Sequence, residues 1–230
     1  MQETKVFQMP DGIEVPVETN RRAGNKIGVM MLHGFTSSIH THIWYNAANS
    51  WPAKSFDTWR VPLYPGGKNQ RRMRTIRWKQ NMDDIKKVLA AMQKIYKKVF
   101  IIGHSMGGNM AVYAANPKVA GIVLWDPAYN DRITNIAGKE LHKDYYTLDW
   151  GVMILTPKTY GHELERATLF NGQFAKVPTL LVRAANNTEG WDFKKVPAKH
   201  IVIPGSDHSF HKEGNEKELF KQTLKFIKTL

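Results

Sequence analysis

Short apolar runs recur along the chain and are separated by amphipathic stretches. Each run is rich in Val, Ile or Leu and is bounded by polar residues or glycine. The runs are KIGVMMLHGF (26–35), KVFIIG (98–103), KVAGIVLWDPAY (118–129), KVPTLLVRAANN (176–187) and KHIVIPGSDHSF (199–210). Strands that are buried on both faces have this pattern, and such strands occur mainly in parallel sheets. The pattern therefore predicts a largely parallel sheet.

The amphipathic stretches predict helices between these strands. Residues 78–98 carry apolar side chains at helical spacing, and the same spacing continues in 213–230. A further helix is predicted over 106–116, because Pro117 would end it there. Two more strands are predicted around the turn at Pro10-Asp11-Gly12, and a short one over 58–61.

The alternation of strands and helices predicts an α/β fold with helices on both faces of the sheet. One segment, Tyr129 to Lys176, breaks the alternation with helical patches separated by proline and glycine. We interpret 1–128 and 177–230 as the core and 129–176 as a lid inserted over the carboxyl ends of the strands. The length of 230 residues fits a single domain.

Composition narrows the classes of function. The chain has no cysteine, which excludes disulfides, thiolate metal sites and a cysteine nucleophile. No apolar run is long enough to span a membrane, and the first residues lack a signal-peptide pattern, so we expect a cytoplasmic protein.

The formal net charge of +13 favours anionic partners or a solvated basic surface. Six of the cations lie in KNQRRMRTIRWK (68–79). This stretch is compatible with an acidic carrier or an anionic group on the substrate. It has little of the aromatic interleaving that single-stranded nucleic acid binding requires, which makes nucleic acid the weaker choice.

The candidate chemistry begins at Ser105. The sequence Gly103-His104-Ser105-Met106-Gly107 follows a predicted buried strand and precedes a predicted helix. A sharp strand–turn–helix of this kind requires small residues two positions before and after the serine, and it exposes the hydroxyl at a helix N-terminus. This arrangement is typical of a nucleophilic serine.

With these motifs the sequence resembles the α/β-hydrolase superfamily of serine hydrolases over nearly its whole length except the lid. His33-Gly34-Phe35 resembles the oxyanion loop, and Tyr64-Pro65-Gly66-Gly67 resembles the Pro-Gly-x-Gly loop without its usual histidine. The resemblance implies Ser105 as nucleophile, His208 as base, and an oxyanion hole from the backbone N–H groups of Phe35 and Met106. It implies no metal and no organic cofactor.

The acid of the catalytic triad remains open. The superfamily usually places an aspartate a few residues after the PTLLV strand, where this chain has Asn187. Glu189, two residues further on, is the preferred candidate, because AANNTEGW resembles the acid loop of the acyl-chain thioesterases of bacterial luminescence. Asp126 is the alternative, since one lipase branch takes its acid from the preceding strand. Asp192 and Asn187 itself are further candidates.

The resemblances together imply an esterase or thioesterase. Apolar and aromatic residues of the lid favour a medium or long acyl chain as substrate, although they could equally pack the lid onto the core. Two rival hypotheses remain. One is an acyltransferase that uses the same acyl-enzyme. The other is a degenerate hydrolase that binds an anionic partner.

Overall fold

The computed structural model describes residues 1–128, 140–142, 145–149, 153–167, 177–187 and 199–230. Its main feature is an eight-stranded sheet in the order β1-β2-β4-β3-β5-β6-β10-β11. The pairs from β4 to β11 are parallel, and β1 and β2 join antiparallel at one edge. The strands are β1 (Gln2–Gln8), β2 (Glu14–Asn20), β3 (Ile27–Leu32), β4 (Phe56–Val61), β5 (Lys98–His104), β6 (Gly121–Trp125), β10 (Thr179–Ala184) and β11 (Lys199–Ile203).

The predicted mostly parallel sheet is confirmed, and both of its faces are buried. In β3, Met30 and Leu32 belong to one apolar cluster, whereas Val29 and Met31 belong to another. Successive side chains of a strand point to opposite faces, so a strand between two cores must be apolar at every position. This explains the near-continuous apolar runs.

Five α-helices lie in the described residues, and four of them cover the sheet. They are α1 (His42–Ser50), α2 (Trp78–Ile95), α3 (Met106–Ala114), α4 (Lys158–Arg166) and α5 (Asn215–Lys228). Side chains of α2 and α3 pack in the first cluster, and those of α1 and α5 pack in the second. The helices predicted over 78–98, 106–116 and 213–230 are confirmed, each with a slightly shorter extent.

Helix α1 was not predicted from the sequence. Its buried residues are Ile43, Trp44, Ala47 and Ala48, and the fully buried Trp51 follows it. This is helical spacing, so the signal was present. Two asparagines within the helix, and the mostly polar SSIHT stretch before it, are more typical of a loop.

The segment between β6 and β10 contains strands where helical patches were expected. Strands β7 (Glu140–His142), β8 (Tyr145–Asp149) and β9 (Met153–Pro157) form a separate antiparallel sheet, and α4 follows directly. The sequences YYTLD and MILTP combine aromatic, β-branched and apolar residues, which favour strands.

None of the helices in the described part of the chain combines the length and hydropathy needed to cross a bilayer.

Candidate active site

Ser105 lies at the junction of β5 and α3 in a strained backbone conformation. Its φ is 53° and its ψ is −125°, a combination that residues with side chains rarely adopt. The neighbouring backbone leaves no room for side chains. A Cβ on Gly103 would lie 2.0 Å from the carbonyl oxygen of Gly107, and one on Gly107 would lie 2.2 Å from that of Leu32. The predicted tight turn around the serine is therefore present.

The loop after β3 runs directly past this serine. A Cβ added to Gly34 would meet the Cβ of Ser105 at 3.0 Å, so only glycine allows this approach without displacement. Next to Gly34, His33 is buried, and the backbone N–H of Leu63 donates to its Nε2 at 3.0 Å. The proton must then be on Nδ1, which donates to the carbonyl of Gly34 at 2.9 Å. Burial lowers the pKa of His33 to about 4, so the ring is neutral near pH 7.

His208 contacts Asp126, the alternative choice of acid. The Nδ1 atom of His208 lies 2.6 Å from Oδ2 of Asp126. The imidazole is 45% exposed, whereas the carboxylate is fully buried. An imidazole held by a buried carboxylate at Nδ1 leaves Nε2 for proton transfer.

Asp126 is fixed by several groups at the end of β6. Its Oδ1 accepts a hydrogen bond from the backbone N–H of Ala184 at 3.1 Å and lies 3.3 Å from the buried guanidinium of Arg183. Its own N–H donates to the carbonyl of Val182 at 2.7 Å. A buried carboxylate needs such compensation to stay ionised.

The loop that carries His208 is attached to the residue before Ser105. Nε2 of His104 donates to the backbone carbonyl of His208 at 2.7 Å, because a carbonyl can only accept. Burial, with the charge of His208 as a second cause, lowers the pKa of His104 to about 3. His104 is therefore neutral and connects the Ser105 turn to the His208 loop.

Glu189 and Asp192 lie outside the described residues. Asn187 ends the short 3-10 helix Ala185–Asn187, which follows β10. The contact expected of Glu189 is thus made, within the described part of the chain, by Asp126.

Both predicted oxyanion residues contact Tyr160 of α4, a residue that the sequence analysis did not single out. The Tyr160 hydroxyl donates to Asn81 at 2.9 Å and lies 3.5 Å from the sulfur of Met106. The rings of Tyr160 and Phe35 are 6.2 Å apart, centroid to centroid. Tyr160 is fully buried, so α4 is anchored beside the site.

The basic stretch 68–79 divides into a structural residue and a surface. Arg71 is buried, and its guanidinium binds Asp84 at 2.8 Å through two nitrogens and Asp11 at 2.5 Å. The remaining cations of the stretch are exposed: Lys68, Arg72, Arg74, Arg77 and Lys79. Within the stretch 68–79, an anionic partner could therefore contact these five cations but not Arg71.

The described residues contain no group of three or more His, Cys, Asp or Glu side chains placed to hold an ion. Near the His208 loop, His42 stacks on His211, with ring centroids 4.3 Å apart.

One family model covers more than half of the chain. The family model described as "Serine aminopeptidase, S33" matches residues 25–157. A comparison with curated protein sequences finds no match.

Solved structures of the same fold cover nearly the whole chain at low identity. Est1E from Butyrivibrio proteoclasticus with bound ferulic acid has a TM-score of 0.76 at 17% identity, covering 97% of this chain and 98% of its own. A soluble variant of the monoglyceride lipase of Saccharomyces cerevisiae, in complex with a substrate analogue, has a TM-score of 0.78 at 13% identity, covering 100% and 95%. The esterase domain of a Rhodothermus marinus protein has a TM-score of 0.70 at 16% identity, covering 97% and 96%.

Proposed function

Because the chain belongs to the S33 serine aminopeptidase family of α/β hydrolases, we propose that it is a serine hydrolase that cleaves carboxylic esters or thioesters. The observation that carries the proposal is the combination of a strained serine at a strand–helix turn with a histidine on the adjoining loop that contacts a buried carboxylate at the end of β6. The hydrogen bond from His104 to the His208 carbonyl connects the two parts. Such a serine, paired with a base, is an activated nucleophile.

In the proposed reaction, Oγ of Ser105 forms a bond to the acyl carbon while its proton moves to Nε2 of His208. Asp126 holds the imidazole through Nδ1 and stabilises the imidazolium that results. The oxyanion accepts hydrogen bonds from the backbone N–H groups of Phe35 and Met106. When the tetrahedral intermediate collapses, the bond to the leaving group breaks and Nε2 returns its proton to the alkoxide or thiolate.

Water completes the cycle by the same groups. It loses a proton to His208 as it attacks the acyl-enzyme, and the proton then passes to Oγ of Ser105 as the carboxylic acid leaves. Asp126 keeps its contact with Nδ1 throughout, and Arg183 and the N–H of Ala184 compensate the charge of its carboxylate. We retain Glu189 and Asp192 as candidates to be tested beside Asp126.

For the substrate we propose a medium or long acyl chain. The segment 129–176 would act as the lid, and its helix α4 is anchored at the oxyanion residues through Tyr160. The similar structures include a monoglyceride lipase and an esterase domain, which favours esters over the peptides that the family description suggests.

Steady-state hydrolysis tests the proposal. We expect the wild type to cleave p-nitrophenyl esters, with a preference for acyl chains of intermediate length or longer, and Ser105→Ala to lose this activity. The matched control is Ser50→Ala, which removes a serine hydroxyl from α1. Aminoacyl p-nitroanilides are assayed in parallel. Cleavage of these amides but not of esters would overturn the ester assignment, and hydrolysis that survives in Ser105→Ala would overturn the mechanism.

A further inference from the structure

Tyr64 is a half-buried side chain beside the site, and the proposed reaction so far gives it no role. It follows β4 and begins the Tyr64-Pro65-Gly66-Gly67 loop. Its hydroxyl donates to the backbone carbonyl of Gly34 at 2.9 Å, and its ring packs edge-on against His33, with centroids 5.1 Å apart. Burial raises the pKa of the Tyr64 hydroxyl far above its usual value, so the group remains a donor at working pH.

The carbonyl of Gly34 is an unusually well-satisfied acceptor. It receives the Tyr64 hydroxyl at 2.9 Å, Nδ1 of His33 at 2.9 Å and the backbone N–H of Ser37 at 3.2 Å. Two of these three donors are buried or half-buried side chains that contact the same atom from different elements. A typical carbonyl oxygen has only two lone pairs to offer. The orientation of this carbonyl is therefore strongly determined.

The same peptide unit carries the N–H of Phe35. In a trans peptide the C=O of one residue and the N–H of the next point in opposite directions within one plane. No cis peptide is present among the described residues. Fixing the Gly34 oxygen therefore fixes the direction of the Phe35 N–H. Hydrogen bonds to the oxygen also polarise the amide and make its N–H a stronger donor.

The loop requires such support because its backbone is strained. Thr36, directly after Phe35, has a φ of 57°, and its hydroxyl donates to the Phe35 carbonyl at 2.7 Å. A strained peptide between Gly34 and Thr36 would relax without external contacts. Donors that hold the Gly34 carbonyl oppose that relaxation.

We propose that Tyr64 is a positioning residue for the oxyanion hole, acting through the Gly34 carbonyl on the N–H of Phe35. The inference rests on the proposed function, since it assigns a role in stabilising the tetrahedral intermediate. Tyr64 does not touch the substrate in this role. Its contribution therefore appears when the oxyanion forms and not when the ester binds.

Tyr64→Phe tests the role by removing one oxygen atom. The loss of one neutral hydrogen bond corresponds to about a tenfold effect, so we expect kcat to fall about tenfold and KM to stay within twofold. Affinity for a trifluoromethyl ketone, which forms a tetrahedral adduct with a nucleophilic serine, should fall by the same factor as kcat. Affinity for the carboxylic acid product should not change.

Tyr96→Phe is the matched control. The Tyr96 hydroxyl is buried and, like that of Tyr64, hydrogen-bonded; its partners are Trp59 and Asp57. Tyr96 lies just before β5, at the opposite end of that strand from Ser105. This variant should lose stability without losing kcat. A second variant carries 4-aminophenylalanine at position 64, which keeps an N–H donor in place of the hydroxyl. It should recover most of the kcat lost in Tyr64→Phe.

The outcomes separate the inference from the proposed function. If the wild type shows no ester hydrolysis, the proposed function fails and this role fails with it. If the wild type is active and Tyr64→Phe, folded by circular dichroism, keeps its kcat, the positioning role is wrong while the proposed function stands. A fall in kcat with no loss of ketone affinity, or with no recovery by the amine, also overturns the role. If Tyr64→Phe does not fold, the 4-aminophenylalanine variant becomes the test. The positioning role then requires that this variant match the wild type in kcat and in affinity for the ketone, and a lower value of either would overturn the role.

Discussion

Nδ1 of His208 and Oδ2 of Asp126 are 2.6 Å apart, although 82 positions separate the two residues in the chain. The contact joins the loop after β11 to the end of β6. Strand β10 lies between these strands and contributes Arg183 and Ala184, which contact the same carboxylate. Asp126 thereby combines a partner for the histidine with compensation for its own buried charge.

Replacing Asp126 should reduce turnover far more than replacing either of the other candidate carboxylates. We expect Asp126→Asn to lower kcat by about 10³–10⁴-fold, because an amide cannot stabilise the imidazolium by charge. Glu189→Gln and Asp192→Asn should retain rates near those of the wild type in the same ester assay. Asp207→Asn serves as the control, since Asp207 caps the same loop by accepting from Ser209 and His211. A full loss of activity in Glu189→Gln would assign the acid to Glu189.

A methyl group on Gly107 should disrupt the turn that carries Ser105. It would meet two backbone carbonyls, those of Leu32 at 2.2 Å and His33 at 2.6 Å, neither of which can move without shifting β3. We expect Gly107→Ala to destabilise the fold by at least the 1–3 kcal/mol that is typical of overpacking, and to lose activity.

Gly12→Ala provides the comparison for that variant. Gly12 has a φ of 78° and nothing within 4 Å of an added Cβ, so only backbone strain of about 1 kcal/mol applies. Urea denaturation measures both variants. Equal losses of stability would contradict the steric interpretation of the serine turn.

Arg71 should contribute to stability and not to partner binding. Removing the guanidinium would leave the buried carboxylate of Asp84 without its charged partner, a change that typically costs about 3–5 kcal/mol. We expect Arg71→Met to lower the free energy of unfolding by that amount in urea titrations. Arg72→Met, one residue along and exposed, should leave the free energy of unfolding within 0.5 kcal/mol of the wild type, roughly the range of surface substitutions. A stable Arg71→Met protein would refute this division of the basic stretch.

His33 and His104, both buried, should make the fold sensitive to mild acid. In the folded state the pKa of His33 is lowered to about 4 and that of His104 to about 3, both chiefly by burial. In the unfolded chain both return to about 6.5. Above pH 6.5 both rings are neutral in the folded and in the unfolded state, so they do not make the free energy of unfolding depend on pH. As the pH falls below 6.5 the unfolded state binds them first, so stability declines towards the folded pKa values.

Denaturation at pH 7 and pH 5 measures this effect. Each histidine should account for about 2 kcal/mol of lost unfolding free energy at pH 5, from a slope of about 1.4 kcal/mol per pH unit. His104→Asn should reduce the difference between the two pH values, whereas His40→Asn, at an exposed position, should not. The same acid sensitivity in the wild type and in His104→Asn would contradict the assignment.

The strands and the tight turn around Ser105 could be predicted because their signals are local. A strand such as β5 is apolar at every position from Val99 to Ile102, since both of its faces are buried. Ser105 is marked by glycines that the tight turn requires. Both signals can be read within about ten residues of sequence.

The contact of Asp126 with His208 and that of Tyr64 with Gly34 could not be predicted in this way, because each joins distant segments of the chain. Asp126 meets His208 only through the order of β6, β10 and β11 in the sheet. Tyr64 meets Gly34, 30 positions earlier, because β4 lies beside β3. Neither neighbour relationship follows from composition or spacing.

The most direct test of the central claim is intact-mass spectrometry after exposure to a fluorophosphonate. This reagent phosphonylates an activated serine, so the account predicts one adduct on the wild type and none on Ser105→Ala, with Ser50→Ala labelled like the wild type. Asp126→Asn should be labelled much more slowly, because its base is no longer correctly held. A folded wild type that acquires no adduct, or an adduct that persists in Ser105→Ala, would contradict the claim that Ser105 is the nucleophile.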